Sequence, residues 1–373
     1  MNKRMFFVSP IICLFFLFFT LLSCTPSEED DSIQFHEDYI LIDQNSDSYS
    51  NGFLHGSAAK SIIKEQVETW QKQMFSDLGL SLDQMEEIVY KKTGFLIAIE
   101  KYTPQLIQEI NGIADGAELD RGLILCYNLG EEIYNYQNRS TERCSNLAVS
   151  SKGKHILTYN QDLPFFLHGN NRPIILRSND AIVFALPGML ALSGVSKTVA
   201  VTCNSLPMLQ MNTNGLPLSF AIRQILKQTS LSNTLDYLQD IPLAIPQNFL
   251  LAAPEGIVGI EVSENILEVY KADDLPYLYH TNFPVYNNDH KYEAYEPPVC
   301  TRYQAVETFL HKTDALDYNE KTLTKSFGEK PLNNEETYLR FTVSFQSNQS
   351  TNPILQFINP KQSNTRTFLP FKN

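Results

Sequence analysis

Several classes of protein are excluded by what this sequence lacks. It has no GxSxG nucleophile elbow, no HExxH helix and no GxGxxG turn after a strand. The stretch ending in Gly194-Val-Ser-Lys197-Thr198 does not have the spacing of a phosphate-binding loop. Basic residues are scarce, 29 Lys and Arg against 42 Asp and Glu, and the resulting net charge of −13 argues against nucleic acid as a partner. Glycine (16) and proline (19) are too few among 373 residues for a collagen-like or low-complexity chain. None of the six cysteines forms a CxxC pair or stands by paired histidines, so no zinc cluster is expected. No internal repeat is present, and beyond the first two dozen residues no run is apolar enough to cross a bilayer.

The sequence does carry enough apolar residues, 43%, for a sizeable core in one large domain or two small ones. Lys3 and Arg4 precede an apolar run from Ile11 to Leu22, the length of a signal-peptide core. The run ends in Leu21-Leu22-Ser23-Cys24, which resembles the lipobox of bacterial lipoproteins. Residues 1–23 are therefore expected to be a signal peptide and Cys24 to be lipidated, which takes the net charge to −15. Residues 24–50 read as an acidic linker in which Glu28-Glu29-Asp30-Asp31 is either a solvated tether or an export tag. The expected location is the bacterial cell envelope, with the lipid anchor as the only tie to the membrane and the outer-membrane surface as its face if the tag operates.

Apolar spacing predicts a helix from Gly52 to about Met74, a second opening at Thr103-Pro104 and a third from Leu123 to Tyr136. From Cys144 the pattern changes. Leu147–Val149 and His155–Thr158 read as strands joined by a hairpin-type loop, with further strands near 174–176, 182–186 and 198–202. Helices are expected at 218–227, 232–238 and 302–310, and strands at 249–252, 258–261, 267–270, 341–345 and 354–357. Runs of strands followed by runs of helices suggest a layered α/β or α+β domain.

Cys126, Cys144, Cys203 and Cys300 remain once the leader is set aside, and four thiols allow three pairings in an oxidising compartment. Cys144 differs in its surroundings. It opens a strand in Arg143-Cys144-Ser145-Asn146, and the hairpin returns Asn160-Gln161-Asp162 beside it, setting a thiol near a carboxylate. An ordered series surrounds this pair: Gly52-Phe-Leu-His-Gly56, Glu109-Ile-Asn-Gly-Ile-Ala-Asp-Gly116, Asn204-Ser-Leu206, Gly215-Leu-Pro217, Arg223, Pro246-Gln-Asn248, His280-Thr-Asn282 and Thr301-Arg302-Tyr303. That order resembles the penicillin acyltransferase-like family (acyl-CoA:6-aminopenicillanate acyltransferase), N-terminal nucleophile hydrolases more distantly similar to choloylglycine hydrolase.

The resemblance implies a four-layer αββα sandwich with a mainly helical N-terminal part, 51–143, and a catalytic chain, 144–373. It implies a cut between Arg143 and Cys144 that leaves an α/β heterodimer from one precursor. Arg143 stands where many relatives carry glycine, so either the chain or another protease would make the cut. A freed α-amino group, with a pKa of about 7.7–8.0, can take the proton of its own thiol. Asp162 would then orient that amine, Asn282 and Asn204 would serve the oxyanion, and Arg302 would favour the thiolate. An oxyanion donor is typically worth ~3–4 kcal/mol. His280 is read as a buttress, and Cys126, Cys203 and Cys300 as buried or incidental.

The expected activity is hydrolysis of linear amide bonds in N-acyl small molecules, or acyl transfer if an amine replaces water. No cofactor and no metal is implied. Two alternatives stay open at this point: a non-catalytic surface lipoprotein that binds small molecules, and a cysteine peptidase pairing Cys144 with His155 or His280.

Overall fold

A computed structural model describes residues 32–139, 144–272, 275–362 and 365–372. Ser32–Asn373 form one compact unit of mixed α+β structure built on two sheets. One sheet has nine strands in the order β1 (Ile33–Phe35), β2 (Ile40–Asp43), β5 (Ile174–Arg177), β6 (Ala181–Ala185), β7 (Ser193–Ser196), β8 (Ala200–Ser205), β9 (Gln247–Ala253), β10 (Gly256–Val262) and β11 (Leu267–Lys271). The other has six, ordered β12 (Tyr277–His280), β3 (Ser145–Ser151), β4 (Lys154–Asp162), β13 (Thr337–Gln346), β14 (Ile354–Ile358) and β15 (Thr367–Phe368). Neighbouring strands run antiparallel except β2 and β5, which are parallel.

Strand alternation explains the layering. In β3, Leu147 and Val149 turn to one side, where with Ile156 they meet Val306 and Leu310 of α11 (Thr301–Lys312) and Leu323 and Phe327 of α12 (Glu320–Phe327). Ala148, Leu157 and Tyr159 turn the other way, into the core between the sheets. Phe184 of β6 stacks there on Phe341 of β13 at 4.9 Å and on Phe357 of β14 at 5.7 Å. Packing the other helices against the nine-stranded sheet completes the helix–sheet–sheet–helix order.

The first half contributes α1 (Ser48–Ala58), α2 (Lys60–Leu78), α3 (Leu82–Glu87), α4 (Phe95–Tyr102), α5 (Pro104–Ala117), α6 (Arg121–Asn128) and α7 (Gly130–Tyr136). The short α8 (Phe165–His168), α9 (Leu218–Ile225) and α10 (Leu231–Asp240) follow Cys144. Helices α1 and α5 cross with their backbones in contact. A Cβ on Gly52 would lie 1.9 Å from the Glu109 carbonyl oxygen, and one on Gly112 would lie 2.1 Å from that of Tyr49. The Gly52/Gly56 and Gly112/Gly116 pairs, four residues apart, thus form a closely seated helix crossing.

Several expectations need correction. Residues 33–50, assigned to the linker, form β1, β2 and the start of α1, because Tyr39-Ile-Leu-Ile42 is buried and β2 pairs with β5. The helix expected from Gly52 to Met74 is two, interrupted at Ala59, and that from Leu123 to Tyr136 is two, interrupted at Leu129. Strands β7 and β12 and helices α3, α4, α8 and α12 were not expected. The signal peptide, Cys24 and Arg143 lie outside the described residues. Among the described residues, no helix is long and apolar enough to cross a membrane.

Candidate active site

The β3–β4 hairpin turns through Lys152 and Gly153, both at positive φ (51° and 71°), as a tight two-residue hairpin of the type I′ class requires. Its register pairs Ser145 with Asn160, which brings Asp162 toward Cys144. On the other flank, β12 pairs His280 with Asn146, so the chain leaving β12 carries Asn282 to Cys144. Two antiparallel registers therefore converge on the residue that precedes β3.

Cys144 is wholly buried, and its backbone N–H donates to Asn282 Oδ1 at 2.7 Å. Arg302, in the first turn of α11, reaches the same place. Its Nη1 donates to the Cys144 carbonyl and, at 2.8 Å, to Ser145 Oγ, while Nη2 donates to Asn282 Oδ1 at 3.0 Å. The same guanidinium stands 3.9 Å from Asp162 Oδ2. Asp162 accepts hydrogen bonds from Thr337 Oγ1 at 2.7 Å and Asn334 Nδ2 at 2.8 Å. Burial pushes its carboxyl up to about 7, against the Thr337 bond, the Arg302 charge and the Asn334 bond, which all lower it.

Asn204 joins through a buried amide network. Its Oδ1 accepts from Asn146 Nδ2 at 2.6 Å and from Asn248 Nδ2 at 2.8 Å. Its own Nδ2 is buried with no hydrogen-bond partner among the described residues. Asn282 uses one amide N–H on the Ser205 carbonyl at 3.2 Å. The amide has two N–H groups, so one is left for another acceptor.

The two histidines considered as partners for Cys144 are committed elsewhere. His155 Nδ1 meets Ser150 Oγ at 2.9 Å, six residues along β3 and so ~20 Å from Cys144. His280 has Glu261 Oε1 at 2.6 Å from Nε2 and the Thr281 carbonyl at 2.8 Å from Nδ1. Burial would raise the Glu261 carboxyl, yet the His280 bond and charge and the N–H groups of Asn287 and Val285 hold it below its ordinary range.

Other residues of the ordered motif series are scaffold. Arg223 grips Glu109 through two contacts of 2.6 and 2.8 Å. His55 Nε2 accepts from the Gly188 N–H at 3.0 Å, and burial, then the Arg223 charge, bring its ring down to about 3. Cys126 and Cys203 are buried and Cys300 is partly so; Cys203 Sγ donates to the Leu192 carbonyl at 3.4 Å. Sequence reasoning missed Ser145, Asn334, Thr337 and Glu261; only Ser145, next to the cysteine, gave a local signal.

Comparison with known proteins gives partial matches. A solved structure, the Caenorhabditis elegans N-acylethanolamine-hydrolyzing acid amidase (NAAA) ortholog, is similar over 54% of this chain and 92% of that chain, with 17% sequence identity and a TM-score of 0.43. Residues 196–344, which hold Asn204, Asn282 and Arg302, match the family of acyl-coenzyme A:6-aminopenicillanic acid acyl-transferase. That is the family which the ordered motifs resemble, and over this stretch the chain bears its pattern.

Proposed function

We propose that this protein is an N-terminal nucleophile amidohydrolase, in which Cys144, once freed of the preceding chain, opens linear amide bonds of N-acyl compounds. The observation that carries the reading is the hydrogen bond from the Cys144 nitrogen to Asn282, with Arg302 bonded to both residues. Any buried backbone N–H needs an acceptor; what favours the reading is that one guanidinium ties Asn282, the Cys144 carbonyl and Ser145 together beside the Asp162 carboxyl. The family match supports acyl-transfer chemistry in the broad sense.

In this reading the Cys144 amine takes the thiol proton as Sγ attacks the carbonyl carbon. The spare Asn282 N–H and Asn204 Nδ2 are the candidate donors to the oxyanion. Collapse breaks the carbon–nitrogen bond, the leaving amine carries off the proton, and an acyl-thioester remains. Water then attacks the thioester and releases the acid; an amine in its place would make the reaction acyl transfer. Asp162, beside Arg302, would hold the Cys144 ammonium when it forms.

Trp70, Tyr134, Leu163, Leu186, Met189 and Leu192 line an apolar cavity of only about 30 Å³, too small to hold an acyl group. It adjoins the site twice: Leu163 follows Asp162, and Glu131 on its rim accepts from Ser205 Oγ at 3.1 Å. The proposal includes export and lipid anchoring at Cys24, on the strength of the leader. Purified protein offered a panel of N-acyl amides should release amine, and Cys144→Ala, folded as the wild type by circular dichroism, should release none. Undiminished release by Cys144→Ala would refute the reading.

A further inference from the structure

A buried polar pair holds the chain on either side of Asn282. Glu261 lies on β10 of the nine-stranded sheet and His280 ends β12 of the six-stranded sheet; both are fully buried. Besides His280 Nε2, the Glu261 carboxylate collects three backbone N–H groups. Val285 donates to Oε1 at 2.8 Å, and Tyr286 and Asn287 donate to Oε2 at 3.1 and 2.7 Å. Oxygens so fully surrounded by donors are those of an ionised carboxylate, so Nε2 of His280 is a donor as well. The ring's other nitrogen faces the Thr281 carbonyl, which can only accept. Both ring nitrogens therefore face oxygen partners, and the ring is fixed at both ends.

One carboxylate oxygen thus holds the chain at His280, two residues before Asn282, and at Val285, three residues after it. We propose that His280 and Glu261 are positioning residues for the proposed reaction: the pair staples the turn that presents Asn282 to the Cys144 nitrogen. This inference rests on the amidohydrolase reading, and its role is to fix Asn282 rather than to exchange protons with substrate. Loosening the staple should leave substrate binding in place and slow the chemical step.

The test combines steady-state kinetics with nitrogen-15 spectra of histidine-labelled protein. Rates are expressed per cut chain, titrated by alkylation of Cys144. His280→Gln, which keeps a donor toward Glu261, should hold kcat within about threefold of the wild type. His280→Leu should lower kcat by a hundredfold or more, on the order expected when a hydrogen-bonded positioning group is lost, with KM changed by less than about threefold. Should His280→Leu fail to fold, Glu261→Gln replaces it, and the same fall in kcat at steady KM is expected. In the spectra, His280 should show both ring nitrogens protonated in wild-type protein and in Cys144→Ala alike. Wild-type kcat in His280→Leu or in Glu261→Gln, or a singly protonated ring, would overturn the inference. If instead no N-acyl amide is turned over by the wild type, the functional reading has failed, while the spectra still decide whether the proton-bearing pair exists.

Discussion

At Asp162, burial opposes charge. The carboxyl is pushed up to about 7 even though Thr337, Arg302 and Asn334 all favour its ionised form. In the proposed chemistry it is the carboxylate that holds the Cys144 ammonium, so turnover should rise with pH through the neutral range. Asp162→Asn should lower kcat at least about tenfold, the scale of one lost bond to a charged group. It should also abolish the limb near neutrality and leave only that of the amine, at about 7.7–8.0. A pH–rate profile of the two proteins checks this. Arg302→Lys keeps the charge but cannot reach Cys144, Ser145 and Asn282 together; kcat should fall by about 10- to 100-fold. Cys144, Asp162, Asn282 and Arg302 were legible because each stands in a short, ordered motif. Asn334, Thr337 and Glu261 were not, since they are ordinary polar residues delivered by strand registers far away in sequence: β13 brings Thr337 opposite Asp162 and β10 brings Glu261 to β12.

The elements that hold these residues make their own demands. The α1–α5 crossing leaves no room for side chains, so Gly112→Ala must force the helices apart and should cost about 1–3 kcal/mol, read as a lower denaturation midpoint at unchanged slope. On α7, Glu132 is fully buried and accepts the Leu218 N–H at 2.8 Å; burial carries its carboxyl up to about 7 from an ordinary value of 4.5. The folded state thus penalises the carboxylate. Stability from this group is intact below pH 4.5 and is lost as pH rises through 7. Relative to the wild type, Glu132→Gln should gain roughly 3 kcal/mol between pH 4 and pH 8, measurable by urea unfolding at each pH. Long helices and the β3–β4 hairpin were readable from apolar spacing and turn residues. Strands β1 and β2 were not, because so short a run carries little period of its own and their acidic surroundings masked the buried Tyr39–Ile42.

Across the whole molecule, the segments before and after Cys144 are interwoven rather than side by side. Strand β2 pairs with β5, Glu109 grips Arg223, and His55 holds the Gly188 N–H. A cut ahead of Cys144 should therefore leave both pieces in one particle, eluting together in native size-exclusion chromatography. The layered fold could be anticipated from the order of strands and helices, whereas the joining of the two segments through one sheet could not, because it depends on a parallel pairing between residues more than a hundred positions apart. The proposed chemistry needs a free amino group on Cys144. Intact mass and N-terminal sequencing of protein that is actively releasing amine from an N-acyl amide test that need most directly: two polypeptides are predicted, the second beginning at Cys144, and a single chain continuous through that residue while turning over at full rate would contradict the account.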